Sequence, residues 1–224
     1  MIRNNSCPAN IDSEFISNFE RALAHRHHRV IRKDDYVQAA VLIPLFKKDG
    51  DFNVLLTKRT DTVETHQGQI SFPGGVRDPG DINLLNTALR EAEEEVGIKT
   101  EDVRVLGELD QEATITNFII SPFVGVIPYP YDFRANPGEV ARLISVPLCV
   151  LRDQEKDGPA TYNYHGIDYP SYRFTYQGHV VWGATARILK NFLEVIPGYH
   201  LKSRHNGANA VKQGSGAKRV TNST

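Results

Sequence analysis

Cysteine is nearly absent: Cys7 and Cys149 are the two thiols in 224 residues. With no C-x-x-C pair they exclude a disulfide framework and fit reduced thiols in a cytoplasmic chain. Long apolar runs are missing as well. None approaches the ~18 residues needed to cross a bilayer, so no membrane contact is expected. The opening segment MIRNNSCPANIDSEF lacks the apolar core of a secretory leader. An excess of one charge is missing too, since 26 basic residues meet 27 acidic ones. That balance conceals a split. From Gly198 onward there are five basic side chains (Lys202, Arg204, Lys212, Lys218 and Arg219) and no acids, which leaves 21 basic against 27 acidic residues in the body. An acidic body argues against nucleic acid as a partner. The tail, rich in Gly, Ser, Asn and Lys, has too little apolar surface to order itself.

What is present is an ordinary globular composition, 40% hydrophobic and 24% charged, enough for one sizeable domain with decoration. Residues 12–24 predict a short amphipathic helix with Phe15, Ile16, Phe19 and Leu23 on one face, inside an N-terminal helical extension of residues 1–30. The run His25-Arg26-His27-His28-Arg29 reads as a solvated basic turn, because interleaved arginines would repel a metal ion. Residues 36–46 predict a buried strand, Asp49-Gly50 a turn, and residues 52–57 the returning strand of a hairpin. Further strands are expected at 102–109, 118–127 and 172–181, with helices at 82–96 and 183–195. Trp182, just before the last helix, reads as a core residue. Strands and helices mix without regular βαβ alternation, which favours an α+β fold. The main domain is placed at residues 31–197 and a disordered basic tail at 198–224.

The chemistry concentrates in GGVRDPGDINLLNTALREAEEEVGI, residues 74–98. On a helix, Leu85, Ala88, Leu89, Ala92 and Val96 form an apolar stripe. Glu91, Glu94 and Glu95 stand at i, i+3 and i+4, so their carboxylates share another face, while Glu93 points elsewhere. Like charges held this close repel by several tenths of a kcal/mol per pair, roughly. A hard divalent cation with oxygen ligands, Mg²⁺ or Mn²⁺, would offset the repulsion. Arg90 can pin a glutamate or contact phosphate. Gly74 and Gly75 let backbone approach a ligand without a Cβ in the way. Lys58, Arg59 and Arg77 flank the glycines and can neutralise phosphate charge. Tyr129, Tyr131 and Phe133 could stack on a base or pack on their own domain.

The stretch resembles a Nudix box, whose pattern is G-x5-E-x7-R-E-U-x-E-E-x-G-U with U aliphatic. Arg90, Glu91, Ala92, Glu94, Glu95, Gly97 and Ile98 match its second half. The first half departs: Asp81 stands where the pattern has Glu, eight residues before Arg90 rather than seven. Asp81 is therefore a site residue or the helix N-cap. Upstream, LLTKRTDTVETHQGQISFPGG (residues 55–75) resembles the signature of the coenzyme A diphosphatase branch, L-L-T-x-R-(S/A)-x3-R-x3-G-x3-F-P-G-G. Leu55, Leu56, Thr57, Arg59, Gly68 and Phe72 to Gly75 match. Thr60 replaces Ser or Ala, and Glu64 reverses the charge of an arginine. Asn136 to Val140, Val146-Pro147-Leu148 and Val181 to Ala186 are similar to later stretches of that branch.

The resemblance implies the Nudix α/β/α sandwich with a mixed β-sheet. It implies hydrolysis of the diphosphate of coenzyme A or a CoA derivative, giving 3′,5′-ADP and 4′-phosphopantetheine. The metal would be held by Glu91, Glu94, Glu95 and a later acid, Glu139, with Glu91, Glu94 and Arg90 as catalytic residues. The base would be a helix glutamate or a loop acid such as Glu112 or Glu139. Arg59, His66, Gly74, Gly75 and Arg77 would bind a small CoA-like nucleotide, in a monomer or homodimer. Glu64 keeps another nucleoside diphosphate open (ADP-ribose, NADH, a dinucleoside polyphosphate), and the fold could separately serve as a non-catalytic nucleotide-sensing or protein-binding module.

Overall fold

The computed structural model describes residues 12–60, 68–154, 160–164 and 167–196. Glu64, His66 and the basic tail lie outside the described residues. The first helix, α1 (Asp12–His25), leads to β1 (Val37–Lys48) and β2 (Asp51–Arg59). Asp49 and Gly50 join these strands with φ of 52° and 82°, the left-handed pair that a tight hairpin turn requires. Two short strands follow, β3 (Ile70–Ser71) and β4 (Gly74–Val76), and then α2 (Leu84–Val96). Beyond a 3₁₀ turn at Thr100–Asp102 come β5 (Arg104–Glu108), β6 (Glu112–Ala113), β7 (Phe118–Val126) and β8 (Val140–Pro147). The chain closes with α3 (Leu148–Asp153), hairpins β9 (Ala160–Tyr164)–β10 (Ile167–Ser171) and β11 (Phe174–Tyr176)–β12 (His179–Val181), and α4 (Gly183–Val195).

Eight strands make one mixed sheet of backbone order β3-β2-β1-β7-β5, with β4 on β1, β6 on β7 and β8 on β2. Within it β1 and β7 run parallel, with Val37 opposite Phe118 and Leu45 opposite Val126. The other pairings in that sheet are antiparallel. Central β1 is covered on both sides, which is why its sequence is a continuous apolar run rather than an alternating one. Ala40, Leu42 and Phe46 pack with Ala88, Leu89, Ala92 and Val96 of α2. Ile43 and Leu45 join the larger cluster with Phe19 and Leu23 of α1 and Phe192 of α4. Helices on both faces of a mixed sheet are the expected α/β/α sandwich.

Two sequence expectations need correction, and two others gain detail. The basic run before β1 is exposed at His25, His27 and Arg29, as expected, but it is also anchored: Arg26 pairs with Asp110 at 2.7 Å, His28 stands 3.6 Å from Glu108, and Arg29 lies 3.8 Å from Glu112. Backbone and side-chain hydrogen bonds from Arg29 and Ile31 to Asp110 and Gln111 strap this segment to the β5–β6 turn. The strand expected at 172–181 is hairpin β11–β12, because Gln177 and Gly178 adopt positive φ and reverse the chain. Trp182 is 50% exposed rather than in the core. Tyr131 and Phe133 pack against the α2-side cluster, and Tyr129 stacks on Phe46 at 5.3 Å between centroids. That aromatic run is therefore domain packing.

Candidate active site

Helix α2 is fixed at both ends by local chemistry. Its N-cap is Asn83, whose side chain accepts from the Asn86 N–H at 3.0 Å. Asp81 is thus not the cap. At the other end Gly97, at φ 73°, donates to the Glu93 carbonyl, the left-handed stop that glycine permits. Two more carbonyls of the last turn are met by the β7–β8 connection. Arg134 N–H donates to Val96 O and Asn136 N–H to Glu95 O, both at 2.9 Å.

Asp81 is the hub that locks this helix to its leading loop. It is 8% exposed and accepts from Asp78 N–H, from Thr87 Oγ1 and from Nε and NH2 of Arg90, all within 3.1 Å. The Arg90 bonds, over the opposing cost of burial, hold its carboxyl well below the usual carboxylate range. Arg90 then reaches Glu91 Oε1 at 2.9 Å and Glu94 Oε2 at 3.0 Å, and donates to Val76 O. Its donors face protein groups, so in this structure Arg90 positions two glutamates. The sequence signal for the hub was the Asp81 departure itself; its partner Thr87 carries no motif mark.

The three helix glutamates meet different surroundings. Glu94 is exposed, Glu91 half-buried and Glu95 2% exposed. Glu91 rests against Gly75, where a Cβ would collide with its carboxylate. Glu95 Oε2 accepts from Gly74 N–H at 3.3 Å, and its Oε1 lies 3.6 Å from Arg59 NH1. Burial pushes the Glu95 carboxyl up to about 7; Gly74 and Arg59 pull it down, while Glu139 and Glu91 push it further up. Glu91 is raised by burial too, against the pull of Arg90. Glu139 therefore stands near enough to bear on both. It is seated by Thr60 N–H donating to its carbonyl at 2.9 Å and by Asn136, which organises the 136–139 turn.

The remaining candidates fall around this group. Arg77 is exposed and donates to the carbonyls of Asp81 and Ile82 at 3.1 and 3.3 Å, so it braces the loop. Glu112 pairs with Arg187 of α4 at 2.6 Å. Among the described residues no three Asp, Glu, His or Cys side chains are gathered closely enough to hold a metal as they lie. The acids that bear on one another, Glu91, Glu95 and Glu139, are all oxygen donors; burial raises the Glu91 and Glu95 carboxyls, and repulsion from the neighbouring carboxylates adds to it. That donor set fits a hard divalent cation. A cavity of about 490 Å³ runs along the outer side of α2, lined by Ile82, Asn86, Leu89, Glu93, Glu94 and Thr100 among others.

Residues 36–152 match the family described as NUDIX domain. The Nudix hydrolase NudL of Photorhabdus laumondii is 36% identical over 189 residues, 82% of this chain and 97% of that protein. The Yersinia pestis NudL is 35% identical over 191 residues, 82% of this chain and 94% of its own. Among solved structures, a NUDIX hydrolase from Alicyclobacillus acidocaldarius is 20% identical with a TM-score of 0.46, over 57% of this chain and 86% of that one.

Proposed function

The chain belongs to the Nudix hydrolase family, and on that footing we propose that it cleaves the diphosphate of coenzyme A or a CoA derivative, giving 3′,5′-ADP and 4′-phosphopantetheine. The observation that carries this reading is Arg59. Its Nε is buried with no hydrogen-bond partner among the described residues, while NH1 faces Glu95. An unmatched buried donor is costly, and a guanidinium is shaped to meet a phosphate oxygen. The same segment that resembles the CoA branch, residues 55–75, supplies Arg59, Gly74 and Gly75.

Glu91, Glu94, Glu95 and Glu139 would hold Mg²⁺ or Mn²⁺. The ion would supply positive charge to the phosphate oxygens and acidify a water. Gly74 and Gly75 admit the diphosphate close to backbone. Arg90, held by Asp81, keeps Glu91 and Glu94 aimed, and a carboxylate of the set takes the proton from the attacking water. The charge reversal at Glu64 favours a second reading, hydrolysis of ADP-ribose, NADH or a dinucleoside polyphosphate.

The test is product analysis with excess Mg²⁺ over CoA, dephospho-CoA, ADP-ribose, NADH and a dinucleoside polyphosphate. CoA should yield the two named products at the highest kcat/KM. If ADP-ribose turns over readily while CoA is untouched, the second reading takes its place; no turnover of any compound would leave a sensing module.

A further inference from the structure

Asn136 touches both halves of the acid group at once. Its backbone N–H donates to Glu95 O at 2.9 Å, in the last turn of α2. Its carbonyl accepts from Glu139 N–H at 3.1 Å and from Val140 N–H at 2.8 Å, which closes the turn Asn136-Pro137-Gly138-Glu139. Its side chain divides two tasks. Oδ1 accepts from Gly138 N–H at 3.0 Å, and Nδ2 donates to Glu139 Oε1 at 3.4 Å. We propose that Asn136 is a positioning residue for metal binding, which aims the Glu139 carboxylate at the helix acids and fixes its place relative to them. The inference rests on the reading of Glu91, Glu94, Glu95 and Glu139 as the metal-holding set.

The backbone of the turn has other holds, so the amide nitrogen is spared for the carboxylate. Thr60 donates from its N–H to Glu139 O at 2.9 Å and from its Oγ1 to Gly138 O at 3.3 Å. Pro137 fixes its own φ. Asn136 and Glu139 are both half-buried, and Glu139 adds to the rise of the Glu91 and Glu95 carboxyls, so it lies within charge range of both. A glutamate side chain has many rotamers, and holding it before a cation arrives removes that ordering cost from the binding step. Arg90 does the same for Glu91 and Glu94. An amide suits the loop acid for a further reason. It carries no charge to compete with a cation, and by engaging Oε1 alone it leaves Oε2 as a ligand.

The experiment is Mn²⁺ binding to the full chain, read from the electron paramagnetic resonance of the free ion, for wild type, N136S, E139Q and N136S/E139Q. Serine keeps an acceptor for Gly138 N–H but is too short to reach the Glu139 carboxylate. N136S should weaken Mn²⁺ binding roughly tenfold or more, the size of effect when a partner that orients a metal ligand is lost. In the E139Q background the same change should do little, because the carboxylate it aimed is gone. A purely structural role would instead give losses that multiply. N136D keeps the acceptor and sets a like charge beside Glu139; it should also weaken binding, and it takes over if melting shows that N136S does not fold. Unchanged or tighter binding by the folded variant overturns the inference, as do multiplying losses or an E139Q that binds like wild type. A wild type that holds no Mn²⁺ removes the metal reading as well. No substrate enters the measurement, so a failed CoA assignment leaves its result standing.

Discussion

Glu95 carries the heaviest electrostatic load in the site. Its folded carboxyl holds a proton more tightly than an unfolded one, so ionisation costs stability. Metal-free stability should therefore fall as pH rises from about 4.5 to about 7, and level off above. E95Q should flatten part of that slope and, at pH 8 without metal, melt higher by several degrees, at roughly 2–4 °C per kcal/mol. In saturating Mg²⁺ the same variant should lose roughly 10²-fold or more in kcat. Wild-type turnover would remove Glu95 from the site. The two glycines separate fold from chemistry. A Cβ on Gly74 meets the backbone of Ala40 and Val41, whereas one on Gly75 meets the Glu91 carboxylate. G74A should fail to fold stably, while G75A should fold and lose activity through displaced Glu91; equal melting temperatures for both would contradict this. The glutamates were legible because their spacing is a helical face. The Asp81 hub showed only as a departure from the box pattern; its role was not legible, because its four hydrogen bonds join loop to helix, and spacing along the chain does not report that closure.

Helices α1 and α4 were readable from their apolar periodicity, and their junction is a ring contact. Phe19 and Phe192 are both fully buried with centroids 5.6 Å apart. F192A should cost about 3–5 kcal/mol of unfolding free energy in urea titration, as for a large core aromatic. A loss below about 1 kcal/mol would mean that α4 is not locked into the core. Strand β8 went unread as a strand. Its sequence VARLISVP buries Ile144 and Val146 on one face, but Arg142 interrupts that face, the bulge at Ala141 breaks the alternation before Val140, and Pro147 ends the strand. The hairpin at Gln177-Gly178 was missed because Gln is an uncommon occupant of a left-handed turn position. The strapped basic segment was missed for another reason: its partners lie some eighty positions away.

At the scale of the molecule, the body and the tail should separate. Residues 198–224 have no apolar periodicity to pack, so a chain ending at Pro197 should melt and turn over like the full one. Lost activity with an intact fold would make the basic tail a substrate contact. The fold class was legible from element order alone, yet the parallel pairing of β1 with β7 was not, since hydropathy does not encode which strands meet. That pairing has a consequence for how the chain reaches its native state. Val37 waits for Phe118, and everything between them, α2 included, is a loop that must close first. Such non-local closure makes for folding on a scale of about milliseconds to seconds. Glu139 is seated where β8 docks on β2 and Thr60 donates to its carbonyl, a pairing expected to follow that closure. On that order the carboxylates should come together downstream of the rate-limiting barrier, where a divalent cation has nothing to catalyse. In stopped-flow experiments Mg²⁺ should slow unfolding and leave the refolding rate within about twofold, as stabilisation absent from the transition state does. Refolding accelerated by Mg²⁺ would mean that the acids assemble early, before the sheet closes around them.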